Sequence, residues 1–455
     1  MSAAGSEPSV IKAHFNAKQQ QTERYVYVPF EVPAGTTRVD IELNYQKTDL
    51  NVVDLALMEP GSTALGTRAF RGWSGGERSA IFVSTSDATP GYWPGPIPSG
   101  TWRVVLGLYK VGPAGVDVEV TVGRSSASLP SAPTIPSPSR RPVRTGPAWY
   151  SGQLHAHTHN SDGALSVQAL ATRARAEGLD FLALTDHNTT AQQREAVDAP
   201  GLLTIIGEEV TTPGGHANVW GLGGVRDLVE FRIQPGSSRI QEIADEVNER
   251  GALMGINHPF ADCVACSWTH DVPKGIGTIE ISGREPAEMY RAVALWDVLL
   301  RQGRRIAAIG VADWHRGEAP IGSASTRVWA SNLSEAAILE GLRFGRAVVM
   351  MDAKTEPPEF RMTAAGKDGR VGDTVNLRTG EPFSVLTVLP KAAVYDGARV
   401  EIFWNGERLA GGPAIEGRFA IERFAGASGY VRAHVLAPSG APIAVTNPIW
   451  LKVTR

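Results

Sequence analysis

Three histidines and a carboxylate fall within eight positions of Gln153-Leu154-His155-Ala156-His157-Thr158-His159-Asn160-Ser161-Asp162-Gly163. Side chains alternate faces along a strand, so an extended stretch would point His155, His157 and His159 the same way. Two imidazoles on one face, at a strand's end, make half of a metal site. The bland reading is a polar strand end with incidental histidines. Further candidates follow: His187, the pair Glu208-Glu209, His216, His258, and Asp313 with His315. Eight of the ten histidines lie between positions 155 and 315. Singly, each has an ordinary explanation: His216 as a turn residue, His258 as a neighbour of Pro259, Asp313 and His315 as a surface pair. Jointly they form a set of imidazoles and carboxylates, and those ligands suit Zn, Mn or Fe.

Such a set needs a scaffold that brings distant positions together. His155, His157, His187, Glu209, His258, Asp313 and His315 each fall at or just past the end of an expected strand. Between the strands, apolar periodicity predicts helices near 166–177, 240–250, 289–302 and 333–344; Val167, Leu170, Ala171 and Ala174 mark one face of the first. This alternation predicts a parallel sheet, most simply a barrel, with its active site at the C-terminal strand ends.

The flanks read differently. Residues 1–125 hold short alternating strands separated by Pro and Gly, as in a β-sandwich. Residues 126–147 carry six prolines and form an extended linker. The barrel is expected over 148–355 and a second β-sandwich over 356–455, where Asn405-Gly406 signals a tight hairpin. Gly72-Trp73-Ser74-Gly75-Gly76 matches the G-x-S-x-G elbow, but no helical pattern follows Ser74, so a Gly/Ser turn is the better reading. Cys263 and Cys266 read as two loop thiols or a redox-dependent clip.

Composition narrows the function classes. The chain has 455 residues, 42% hydrophobic and 20% charged, which predicts a soluble, multidomain protein. A net charge of −3 argues against a dedicated nucleic-acid binder. No 18-residue apolar run predicts a membrane span. The first residues lack a signal-peptide core, so the expectation is a cytoplasmic protein, or a periplasmic or secreted one if a leader was removed.

His155-Ala156-His157-Thr158, Ser161-Asp162-Gly163, Thr185-Asp186-His187-Asn188, Gly207-Glu208-Glu209-Val210-Thr211, Asn257-His258-Pro259 and Ala312-Asp313-Trp314-His315 occur in an order that resembles the PHP (polymerase and histidinol phosphatase) metallohydrolases. Phe70-Arg71-Gly72-Trp73-Ser74-Gly75-Gly76, Thr89-Pro90-Gly91-Tyr92, Gly100-Thr101-Trp102 and Thr446-Asn447-Pro448-Ile449-Trp450 resemble the CehA/McbA branch, which includes hydrolases of the aryl carbamate carbaryl. The resemblance implies an α/β fold, a distorted (β/α)7 barrel flanked by the two β-sandwiches, with two to three divalent metal ions (Zn, Mn or Fe). It implies that His155, His157 and Asp313 hold one metal. Glu209 would bridge to a second, held by His216 and His258. Asp162, His187 and His315 would hold a third. Only one of Glu208 and Glu209 can bridge, and Glu209, just before Val210-Thr211, is expected to do so. His159 and Asp186 are not expected ligands; Asp186 is expected to orient an imidazole.

Metals so held would bring the pKa of water towards neutrality and supply a hydroxide. His270, Arg284 and Arg316 are the candidates to stabilise a leaving group. The expected substrate is a small-molecule phosphoester; the alternative is a carbamate or carboxylic (aryl) ester. Two readings come from other classes: a non-catalytic metal-binding interaction module, and a serine esterase built on Ser74.

Overall fold

The computed structural model describes residues 6–130, 135, 141–195, 200–263, 265–283, 285–364 and 366–454. Arg284 and linker positions 131–134 and 136–140 lie outside the described residues.

The central region supplies nine strands: β1 (Arg144–Gln153), β2 (Phe181–Leu184), β3 (Leu203–Thr212), β4 (Gly215–Trp220), β5 (Leu253–Ile256), β6 (Thr278–Glu280), β7 (Ala307–Ile309), β8 (Ser325–Leu333) and β9 (Ala347–Met350). They lie side by side in the order β7-β6-β5-β4-β3-β2-β1-β8-β9. Four helices cover them: α1 (Val167–Ala176), α2 (Arg239–Glu249), α3 (Pro286–Arg301) and α4 (Glu335–Arg343). Each helix falls where the periodicity placed it. Ser166 caps α1 by accepting from the Ala169 amide, and Val167, Leu170, Ala171 and Ala174 are its buried face.

The all-parallel expectation fails in the middle of the sheet. β1, β2 and β3 run parallel, as do β5, β6 and β7. β3, β4 and β5, however, form an antiparallel meander. Only Pro213 and Gly214 separate β3 from β4, too few residues for the crossover that a parallel pair needs. Past β7 the chain returns to β1: Ala156 bridges in parallel to Trp314, and the His157 amide donates to the Trp314 carbonyl at 2.9 Å. The sheet's path thereby meets its own start at the level of the histidines.

In the N-terminal region, Ser6–Phe15, Val116–Ser125, Arg38–Tyr45 and Ala80–Ser84 form one four-stranded sheet. Tyr25–Val32, Gly100–Lys110, Val52–Met58 and Phe70–Trp73 form another. Both contribute to one apolar core, with Val39, Ile41 and Val122 from the first and Leu55, Trp102 and Leu106 from the second. The C-terminal region is less separate than its sequence suggests. One of its sheets is self-contained (Glu359–Ala364, Lys367–Arg370, Pro382–Val388, Arg418–Phe424). Its other strands continue the central sheet, since Pro442–Thr446 pairs with β9. Asn405 and Gly406 join two antiparallel strands with positive φ at both positions, as a tight hairpin requires. No helix among the described residues is long and apolar enough to cross a membrane.

Candidate metal centre

The alternation of side chains along β3 decides what its two glutamates do. Glu209 faces the histidines, with Thr211 next on the same face. Its Oε1 lies 3.1 Å from His216 Nδ1 and 3.3 Å from His258 Nε2. Its Oε2 lies 2.9 Å from His187 Nδ1 and 3.3 Å from both His155 Nε2 and His157 Nε2. Glu208 faces the other way and accepts from the Val229 amide at 2.7 Å. Glu208 is therefore outside the cluster.

The end of β1 delivers His155 and His157, whose Nε2 atoms are 3.0 Å apart and 3.2 and 3.3 Å from Asp313 Oδ1. Asp162 stands across from three imidazoles, its Oδ1 at 3.4 Å from His315, 3.7 Å from His187 and 3.8 Å from His157. All nine side chains that the motifs single out as ligands meet here. They form four overlapping sets able to hold a cation: His155–His157–Asp313, His155–Glu209–His258, His187–Glu209–His216, and His157–Asp162–His187–His315. His216 and His258 thus belong to different sets, where one shared metal was expected. Both reach Glu209 Oε1, with the two rings tilted 75° to one another.

The donors fit divalent ions. Asp162 Oδ1 and His216 Nε2 are buried without a hydrogen-bond partner, a state that costs free energy unless another group satisfies them. Burial brings the pKa of His216 and His315 down to about 4, so both are in the neutral form that ligates metal. Burial also opposes charge on His157, but Asp313 and Glu209 outweigh it and hold this pKa near 10. For the two carboxylates the histidines in turn outweigh burial, and both Glu209 and Asp313 are held well below the usual range. Backbone strain gathers at the same place: Asn188, His258 and Asp313 all have positive φ, at 51°, 22° and 47°.

Two supporting residues differ from expectation. Asp186 bonds no imidazole directly, and reaches His157 only through the Ser161 hydroxyl, which lies 3.4 Å from His157 Nδ1. It accepts from the Thr158 amide and hydroxyl (2.9 and 2.8 Å) and from the Ser161 amide and hydroxyl (3.0 and 2.7 Å), so it shapes the turn that carries Asp162. The orienting carboxylate is Glu280, at the end of β6. It bonds His155 Nδ1 at 2.8 Å and accepts from the His258 amide at 2.7 Å. Outer partners of this kind govern ligand orientation. Glu280→Gln should therefore weaken metal binding by about 10–100-fold with the fold intact, read by metal titration against a thermal melt.

The leaving-group candidates fare unevenly. His270 bonds Thr212 Oγ1 at 2.9 Å and packs on Trp268, turned away from the cluster. Arg316 is on the rim, with Nη2 on the Asp162 carbonyl at 2.6 Å. His159 pairs with Glu195 at 2.8 Å, consistent with no ligand role. Ser74 is buried against Tyr92 OH (3.0 Å) in a turn followed by a strand, so the elbow reading has no support. Cys263 and Cys266 form a disulfide: the two-residue spacing holds their Cα atoms 5.4 Å apart, within bonding reach.

The cluster floors a cavity of about 1100 Å³. Tyr25, Asp54, Trp73 and Tyr109 from the N-terminal sheets wall one side, and Met289 and Tyr290 of α3 help wall the rest. Asp54 is a buried carboxylate; desolvation pushes it up to about 7 against the pull of Arg24, His187 and Lys47.

Comparison with known proteins bears on this geometry. Residues 153–254 match the PHP domain family. Over 116 residues the chain is 33% identical to a 3',5'-nucleoside bisphosphate phosphatase of Chromobacterium violaceum, covering 25% of this chain and 40% of that protein. Over 109 residues it is 45% identical to a 5'-3' exoribonuclease of Haemophilus influenzae, covering 22% and 40%. The chain thus spans at most 40% of the length of the curated relatives it matches. Among solved structures, a two-domain protein from Bacteroides vulgatus containing a predicted PHP-like metal-dependent phosphoesterase is 18% identical, with a TM-score of 0.38 over 71% of this chain and all of that one. His258, Asp313 and His315 lie beyond the matched residues, and the stretch 153–254 that is similar to the PHP domain holds the other six candidate ligands.

Proposed function

We propose that this protein is a metal-dependent hydrolase that cleaves phosphoesters at the His/Asp/Glu cluster. The observation that carries the reading is the convergence of nine potential ligands into four overlapping sets, with seven of the nine lining one cavity. Bound there, divalent ions would supply hydroxide near neutral pH and neutralise charge on a phosphoryl group. The chain's own residues do the rest. Glu209 presents one oxygen to each side of the cluster and ties the sets together. Glu280 fixes the His155 ring so that its Nε2 points inward. Arg316, whose Nη2 meets the Asp162 carbonyl at the rim, would stabilise the departing oxygen. The match to a phosphatase and an exoribonuclease favours a phosphoester over the alternatives.

The carbamate and aryl-ester reading keeps the same cluster and changes the electrophile. Matched nitrophenyl phosphate, acetate and carbamate, assayed with Mn²⁺ or Zn²⁺ and again after chelation, separate the two. The expected result is metal-dependent release from the phosphate. Release from the carbamate or acetate alone would assign the narrower branch. Turnover that survives thorough chelation would refute the metal mechanism. Bound metal with no turnover of any of the three would favour a binding module.

A further inference from the structure

The turn carrying Asp162 is held from two sides. Below it, Asp186 takes the amides and hydroxyls of Thr158 and Ser161. Above it stands Arg78, which belongs to the N-terminal sheets, in the loop between Phe70–Trp73 and Ala80–Ser84. Arg78 Nη1 donates to the Ser161 carbonyl at 3.0 Å, and its Nη2 donates to the His159 carbonyl. A second N-terminal contact lies beside it. The Gly91 amide donates to Asn160 Oδ1 at 2.9 Å, and Thr189 Oγ1 returns a bond to the Gly91 carbonyl at 3.0 Å. A Cβ on Gly91 would stand 2.4 Å from the Asn160 carbonyl oxygen, so the approach is as close as backbone allows.

We propose that Arg78 is a positioning residue for the cation set His157–Asp162–His187–His315. Of the four sets, this one alone draws a ligand from the 158–163 turn, and Asp162 is its one carboxylate. A planar guanidinium can clamp two carbonyls at once, which an ammonium on a flexible stem cannot do with the same geometry. Moving a ligand by about 0.5 Å is enough to spoil a preorganised site. The N-terminal sheets therefore complete one metal position in the central sheet, and the other three sets do not depend on them in this way. The proposal rests on the metal-cluster reading, not on the choice of phosphoester.

The test uses the full chain as wild type, Arg78→Lys and Arg78→Ala. Each is stripped, reloaded with Mn²⁺ or Zn²⁺, and measured for bound equivalents by elemental analysis and for affinity by calorimetric titration. The expected result for Arg78→Ala is one class of site weakened about 10–100-fold, with the remaining equivalents bound as in wild type. Arg78→Lys should lie between, because it restores the charge and one bond. Wild-type equivalents and affinities in Arg78→Ala would overturn the proposal, as would loss of every site together. Should Arg78→Ala fail to fold, Arg78→Lys decides: an affinity unchanged at all sites overturns it. A wild-type chain that binds no metal would instead overturn the cluster reading itself.

Discussion

Glu209→Gln should lower kcat/KM on nitrophenyl phosphate by at least about 10³-fold, equivalent to roughly 4 kcal/mol of transition-state stabilisation. Its neighbour sets the contrast: Glu208→Gln should leave activity within about threefold, a change of under ~1 kcal/mol. The two-residue period of β3 sends the two side chains to opposite faces. Glu209 lies within 3.3 Å of five histidine nitrogens and joins two of the four cation sets. An amide there replaces one acceptor oxygen with a donor that repels both cations and imidazole N–H groups. Glu208 is fully buried on the opposite face, and burial pushes its carboxyl well above the usual range. Gln keeps both its shape and the oxygen that meets the Val229 amide. Activity and metal content of the two variants check this. Equal losses in both, or in neither, would sink the assignment of Glu209 as the residue that ties the cluster together.

The same alternation explains what the sequence made legible. Strand ends carrying His, Asp or Glu are conspicuous because polar side chains interrupt apolar runs there, and nine such positions lie in the cluster, while Glu208, Asp186 and His159 beside them do not. The places of the four helices and the apolar face of α1 were equally readable, since they depend on local spacing. Glu280 ends β6 and carries the same kind of signal, yet a single carboxylate with no histidine beside it does not announce a supporting role. Asp186 was legible as a non-ligand but not as the anchor of the 158–163 turn, because its partners are backbone amides and hydroxyls with no pattern of their own. Arg78 was wholly hidden: its bonds to His159 and Ser161 span more than 80 positions and exist only because the N-terminal sheets dock against the turn. The antiparallel meander of β3, β4 and β5 was missed for another reason. Hydrophobic runs report burial, and they do not report strand direction.

The continuity between central and C-terminal regions leads to the second large expected effect. Asp297→Ala, on α3, should destabilise the protein by about 3–5 kcal/mol, because it leaves a buried guanidinium without its counter-charge. Asp297 is 5% exposed and Arg432 1%. Arg432 binds the carboxylate with Nε at 2.9 Å and Nη2 at 2.6 Å, a two-pronged pair, and Tyr430 OH donates to the same carboxylate at 2.8 Å. The third prong, Nη1, meets His434 Nε2 at 2.5 Å. Burial and Arg432 together hold the His434 pKa well below its ordinary value, so that ring is neutral and accepts the bond. The guanidinium also lies 4.3 Å above the Phe403 ring. Every donor and acceptor in this group is satisfied only while Asp297 is present, and the group joins α3 to Gly429–Leu436, the strand beside the one that pairs with β9. Thermal melts should show a fall on the order of 5–10 °C for Asp297→Ala. The double variant Asp297→Ala/Arg432→Met should recover much of it, since removing both charges costs less than stranding one. Metal content at 25 °C should stay at the wild-type value, because no residue of this group belongs to the four cation sets. A melt of Asp297→Ala within about 1 °C of wild type, or a double variant less stable than the single, would show that the apolar core alone joins the two regions.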